Sequence, residues 1–175
     1  SRANPRRARA RPSRTIPRVL LDRRPCVVTL YTERLPNLAP SSASLAEHLI
    51  VAHDPGRGTT FISHQQCVEH ARAAWHAWAP VEPLVVAWHE RELAVLESVL
   101  GGPIDGIALK HVVANLTHAR PVGLDHVAEA MGLRPAGLPL DGRVGHRLGT
   151  TVALLGALQA RLTQDARVEQ GHLGA

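Results

Sequence analysis

Eleven histidines are the residues of this chain best suited to metal or proton chemistry. Their nearest pairs are His48/His53, His64/His70, His70/His76 and His111/His118. A separation of six places two side chains on different faces of a helix, whereas helical zinc sites use i,i+4. The chain has no His-Glu-x-x-His segment, and its two cysteines, Cys26 and Cys67, stand at no metal-ligand spacing. These spacings argue against a zinc centre, and several of these histidines are expected instead to titrate near pH 6. Gly56-Arg-Gly58 and Gly142-Arg-Val-Gly145 have the glycines of phosphate loops, but neither follows a strand and opens a helix in the P-loop pattern. No Gly-x-Ser-x-Gly elbow marks a serine nucleophile. Trp75, Trp78 and Trp88 read as core or interface residues, with Trp75 and Trp78 at a helix edge where a protein partner docks.

Charge is distributed unevenly. Residues 1–25 hold nine arginines against Asp22, a balance of +8, and the remaining 150 residues sum to −3. A Ser/Arg/Ala/Pro-rich start buries too little apolar surface to fold alone. Residues 1–25 are thus expected to be an Arg-rich flexible arm, with Arg6, Arg7, Arg9, Arg11, Arg14 and Arg18 as nucleic-acid phosphate contacts, or else a plain linker. Apolar residues make up 45% of the 175, so the rest of the chain can bury a core and wholesale disorder is excluded. No apolar run approaches the roughly 18 residues of a membrane helix. Five aromatic residues are too few for a base-stacking sheet. Two cysteines and no apolar leader predict a reducing, cytoplasmic setting.

Local patterns supply the elements that would position any site. Residues 26–31, 45–53, 59–62 and 84–88 read as strands, the second and third joined by the turn Asp54-Pro-Gly-Arg-Gly58. Helices are expected over 65–79 with Ser63 as N-cap, and over 89–100, 104–116, 124–131 and 146–162. The tail, 164–175, is expected to fray. The order β-β-β-α-β-α followed by three helices predicts an α/β layer architecture, with antiparallel hairpin strands, then parallel strands, and flanking helices.

Five segments in this order resemble a known plan. They are Val27-Val-Thr-Leu-Tyr-Thr-Glu33, Leu84-Val-Val-Ala-Trp-His-Glu-Arg-Glu-Leu-Ala-Val-Leu96, Pro103-Ile-Asp-Gly-Ile-Ala-Leu109, Leu124-Asp-His-Val-Ala-Glu-Ala-Met-Gly-Leu133 and Gly145-His-Arg-Leu-Gly-Thr-Thr-Val-Ala-Leu-Leu155. Together, over residues 26–163, they resemble the DEDD 3′–5′ exonucleases, in the histidine-bearing branch of polymerase proofreading subunits. The resemblance implies a ribonuclease-H-like three-layer fold. It also implies a site in which four carboxylates hold two divalent metals, Mg²⁺ or Mn²⁺, and a histidine activates water. The matching positions are Tyr31 and Glu33 for the Asp-x-Glu of the first strand, Glu92 for the second Asp, His146 for the histidine and Thr151 for the last Asp.

Two of the four acids are then neutral, Tyr31 and Thr151, and Glu92 is one methylene longer than Asp. Two metals about 3.5–4 Å apart carry four positive charges, and Mg²⁺ demands octahedral oxygen ligands at about 2.0–2.1 Å. Glu33 and Glu92 alone do not supply that field. The expectation is therefore a pseudo-exonuclease with no metal cofactor, which binds nucleic acid through the arm or docks on protein partners in a nucleic-acid-processing assembly. The alternatives are an active metal-dependent 3′–5′ exonuclease with rearranged carboxylates, drawing on Glu90, Asp105 or Asp141, and a pure protein-interaction module with a basic linker.

Overall fold

Cys26, Val27 and Val28 are wholly buried, and a strand buried on both faces must have sheet neighbours and helices on either side. The computed structural model describes residues 18–22, 25–32, 48–64 and 68–174. Its elements run α1 (Val19–Asp22), β1 (Pro25–Thr32), β2 (His48–Asp54), β3 (Thr59–His64), α2 (Val68–Trp78), β4 (Leu84–Ala87), α3 (Glu90–Leu100), β5 (Gly106–Ala108), α4 (Leu109–Thr117), α5 (Leu124–Ala130) and α6 (Gly142–Leu173). The sheet order is β3-β2-β1-β4-β5. β1, β2 and β3 pair antiparallel, while β4 lies parallel to β1 and β5 parallel to β4. The protein is an α/β fold around a mixed five-stranded sheet flanked by helices.

Alternation along β1 divides the core into two layers. Val27, with Val51, Leu84 and Val86, packs under α4, α5 and α6 through Leu109, Val113, Leu124, Leu148 and Leu155. Val28, with Ile50, Ala52, Phe61 and Val85, packs under α2 and α3 through Ala71, Trp75, Leu96 and Val99. The β2–β3 turn is fixed by Asp54, whose Oδ1 accepts the amides of Gly56 (2.9 Å) and Arg57 (3.2 Å). Gly58 supplies the left-handed residue at φ 65°.

Four sequence expectations are corrected. Ser63 does not cap a helix; it lies within β3, paired with Ile50. Residues 104–116 are not one helix: Gly106–Ala108 forms an edge strand on β4, and α4 begins only at Leu109. Tertiary pairing decides this, since the Val85 amide bonds the Asp105 carbonyl at 2.8 Å, and a Cβ at Gly106 would stand 3.1 Å from Leu93. The final helix starts four residues ahead of His146 and continues through the tail to Leu173. The tail carries the helix formers Gln164, Ala166, Arg167, Glu169 and Gln170, and Leu162 still reaches the core. Lastly, residues 19–22 of the expected arm form α1. Leu20 is fully buried, its carbonyl accepts from Gln159 Nε2 at 2.9 Å, and Arg18 pairs with Glu169 at 3.0 Å. Arg6, Arg7, Arg9, Arg11 and Arg14 lie outside the described residues.

Candidate functional site

Thr29 interrupts the buried apolar run of β1, and a buried hydroxyl needs a partner. It finds one across the sheet end. Its Oγ1 donates to Glu92 Oε1 at 3.3 Å. Glu92 is itself buried and sits in the first turn of α3, where local geometry aims it. His89 is the N-cap, its Nδ1 accepting the Arg91 amide at 3.1 Å, and Glu92 reaches back to accept the His89 amide on Oε2 at 3.1 Å. This capping box fixes both the start of α3 and the direction of the carboxylate.

The third member comes from α6. Arg147 Nε donates to Glu92 Oε1 at 2.9 Å and lies 3.1 Å from Thr29 Oγ1, while Nη2 reaches the same carboxylate oxygen at 2.5 Å. Oε1 thus takes two guanidinium nitrogens and a hydroxyl, and Oε2 takes a backbone amide. The carboxylate is neutralised and its lone pairs are committed. Burial of a charge is tolerable on these terms, paired and hydrogen-bonded. The side chains of Glu92 and Arg147 are 7% and 37% exposed, so Arg147 spans from the interior to a solvent-facing surface.

That surface is a cavity of about 450 Å³ at the C-terminal end of β4, lined by Trp88, Arg91, Glu92, Lys110, Leu124 and Arg147 among others. Lys110 is placed there by its backbone: its amide bonds the Trp88 carbonyl at 3.0 Å, tying the first turn of α4 to the end of β4. A larger cavity of about 770 Å³ lies at the other ends of β4 and β5, between Trp75, Val81, Pro83, Leu100, Pro103 and Ile104. Beside it Phe61, Trp75 and Trp78 form a ring cluster with centroids 5.4–5.7 Å apart, and Trp75 is buried in it.

The residues singled out from sequence are only partly brought together. Glu92 is in the cluster. His146 is exposed and bonds Asp125 Oδ1 on α5 at 3.1 Å. Thr151 is buried, and its hydroxyl closes a local bond to the Arg147 carbonyl at 2.9 Å. Tyr31 lies in β1 in register with Leu49, and Glu33 lies outside the described residues. Glu90 faces away from Glu92 and pairs with His111, which holds its carboxyl below the usual range. Thr29 and Arg147 were not singled out. The available signals were a lone polar residue in a buried run, and an arginine one residue after a singled-out histidine.

These residues do not fit a pair of divalent metals. Thr29 and Thr151 are neutral, and the one buried acid of the cluster already holds a guanidinium. Among the described residues no group of three or more His, Cys, Asp or Glu is arranged to hold a metal ion. None of the described helices is long and apolar enough to cross a membrane. No protein-family model, curated protein or solved structure matches the chain.

Proposed function

We propose that this chain is a pseudo-exonuclease: a ribonuclease-H-like domain related to the DEDD 3′–5′ exonucleases that has exchanged its metal centre for an internal ion pair. It binds nucleic acid or docks within a nucleic-acid-processing assembly. The carrying observation is the placement of Arg147 on Glu92 beside Thr29, just past the C-terminal end of β4 and against its parallel neighbour β1. Open α/β sheets place their sites at such strand ends. Strand order β3-β2-β1-β4-β5, with three antiparallel strands followed by two parallel ones, supports the fold assignment.

The geometry also favours a two-residue shift in the resemblance. The β1 residue that bonds Glu92 is Thr29. Asp-x-Glu then falls on Thr29-Leu-Tyr31, both acids are neutral, and Glu33 loses its match. Glu92 remains as the single acid, and Arg147 takes over the role of counter-charge that a metal would fill. Fold alone does not give function, so the reading stands on this cluster and on the arginines of residues 1–17.

The test is direct. Single-stranded DNA and RNA are incubated with the full chain and Mg²⁺ or Mn²⁺, and binding is measured against salt. No shortening is expected. Binding should weaken steeply with salt, by about 0.7 in log affinity per log salt for each phosphate neutralised, and should weaken when residues 1–17 are deleted. Metal-dependent shortening abolished by Glu92→Gln would establish an active exonuclease. Absence of binding at low salt would leave a protein-docking module.

A further inference from the structure

The cavity at the C-terminal end of β4 has the wrong charge for a metal site and the right one for an anion. Arg91, Lys110 and Arg147 line it against one carboxylate, Glu92, leaving two positive charges in excess. His89 lines it too. Glu90, between the lining residues His89 and Arg91, bonds His111, which holds its carboxyl below the usual range. Arg91 is exposed and Lys110 half-buried, and neither hydrogen-bonds its side chain to the Glu92 cluster; Arg147 is held by that cluster with its outer edge open to solvent. Beside the cations lies an apolar wall of Trp88, Val95, Val122 and Leu124. Val122 is 85% exposed, an apolar side chain standing free at the rim. The volume of about 450 Å³ falls in the range of small-molecule sites, enough for a phosphate and the group it is attached to.

We propose that this cavity binds a phosphate ester directly, without a metal ion, the phosphate on Arg91, Lys110 and Arg147 and the esterified group against Val122 and Leu124. This deepens the nucleic-acid reading by naming what the domain itself would hold, and its ligand class does not depend on the arm. A free nucleotide and a nucleotide within a strand present the same chemistry.

The experiment is calorimetric titration in low-salt chloride buffer with EDTA. The probes are inorganic phosphate, a nucleoside 5′-monophosphate and a short single-stranded oligonucleotide. The proteins are the full chain, the chain lacking residues 1–17, and the variants Arg91→Gln/Lys110→Gln and Arg91→Glu/Lys110→Glu. Both positions are at least partly solvent-facing, so the paired neutral and reversed variants guard against a folding defect. The monophosphate should bind in EDTA, more tightly than inorganic phosphate. It should weaken about tenfold or more in both double variants and stay unchanged without residues 1–17. Tight binding of the monophosphate with weak oligonucleotide binding would assign a free nucleotide, and the reverse a strand. No phosphate binding, binding only with Mg²⁺, or equal affinity in the double variants would overturn the cavity assignment. Oligonucleotide binding that is lost without residues 1–17 but intact in the double variants would do the same, while sparing the nucleic-acid reading.

Discussion

Arg147 and Glu92, 55 residues apart in the chain, meet with the guanidinium Nε 2.9 Å from the carboxylate, and Thr29 closes the triangle. The triangle joins β1 to α3 and α6, two helices whose apolar side chains pack in opposite layers of the core. Removing one partner of a buried pair leaves the other charge uncompensated. Glu92→Ala also deletes the acceptor for the His89 amide and so half of the capping box. A loss of about 3–4 kcal/mol is expected for Glu92→Ala, and less for Arg147→Ala, whose side chain is more open to water. In a double-mutant cycle by urea unfolding, the double variant should lose less than the sum of the singles, with a coupling of about 1–3 kcal/mol. Additive losses would mean that the pair does not act as one.

The same cluster predicts indifference to divalent metal. A metal at a hundred times its dissociation constant stabilises a protein by about 2.7 kcal/mol. In a chain of 175 residues that corresponds to a rise of about 5–10 °C in Tm. Melting in EDTA and in millimolar Mn²⁺ should coincide. A rise of that size, lost in Glu92→Gln, would show that Arg147 yields its place to a metal.

Some of this was legible in the residues. Leu84-Val-Val-Ala87 reads as a strand covered on both faces, and every residue of it is buried. Of the helix stripe Leu148, Val152, Leu155 and Leu158, the three leucines are buried and Val152 is partly buried against the same core, because period 3.6 leaves one face inward. β5 was not legible: three residues show no period, and Gly106-Ile-Ala becomes a strand only because β4 offers it an open edge. Residues 163–173 carry too few apolar side chains to announce a helix, yet Leu162 and Gln159 hold its base against the core and α1. The site was legible at Glu92 and not at Thr29 or Arg147. Acids draw attention where a metal is expected, whereas a neutral hydroxyl and a counter-ion gain meaning only from what they touch.

His53 is a second buried polar group with a consequence of its own. It lies in β2, with Nδ1 3.0 Å from Thr60 Oγ1. Burial lowers its pKa below the ordinary 6.5, against the opposing pull of Asp54. The folded protein therefore takes up this proton less readily than the unfolded chain. Stability is unaffected well above 6.5 and falls as pH drops below it, down to the lower folded pKa. Urea unfolding from pH 7.5 to 5 should show this decline, and His53→Asn should flatten it. An unchanged slope in the variant would move the effect to other groups.

Close approach along α6 sets the last prediction. A Cβ at Gly145 would stand 1.9 Å from the Leu140 carbonyl oxygen, and one at Gly149 would stand 2.6 Å from that of Ala136. Both obstacles are backbone, and the Ala136 amide is itself bonded to the Gly149 carbonyl at 2.9 Å. These two glycines let the 133–141 segment lie directly on α6, and Arg147 sits midway between them. Gly156, on the same helix, has nothing within 4 Å of its would-be Cβ. The same substitution should therefore act with opposite sign. Gly156→Ala should stabilise by about 0.5–1 kcal/mol through helix propensity alone. Gly145→Ala gains that term but must push the segment off the helix, an overpacking cost of about 1–3 kcal/mol or more, and should destabilise on balance. Thermal and urea unfolding of the two variants decide it. If Gly145→Ala proves as stable as Gly156→Ala, the segment does not rest on α6, and Arg147 is not held between two fixed contacts.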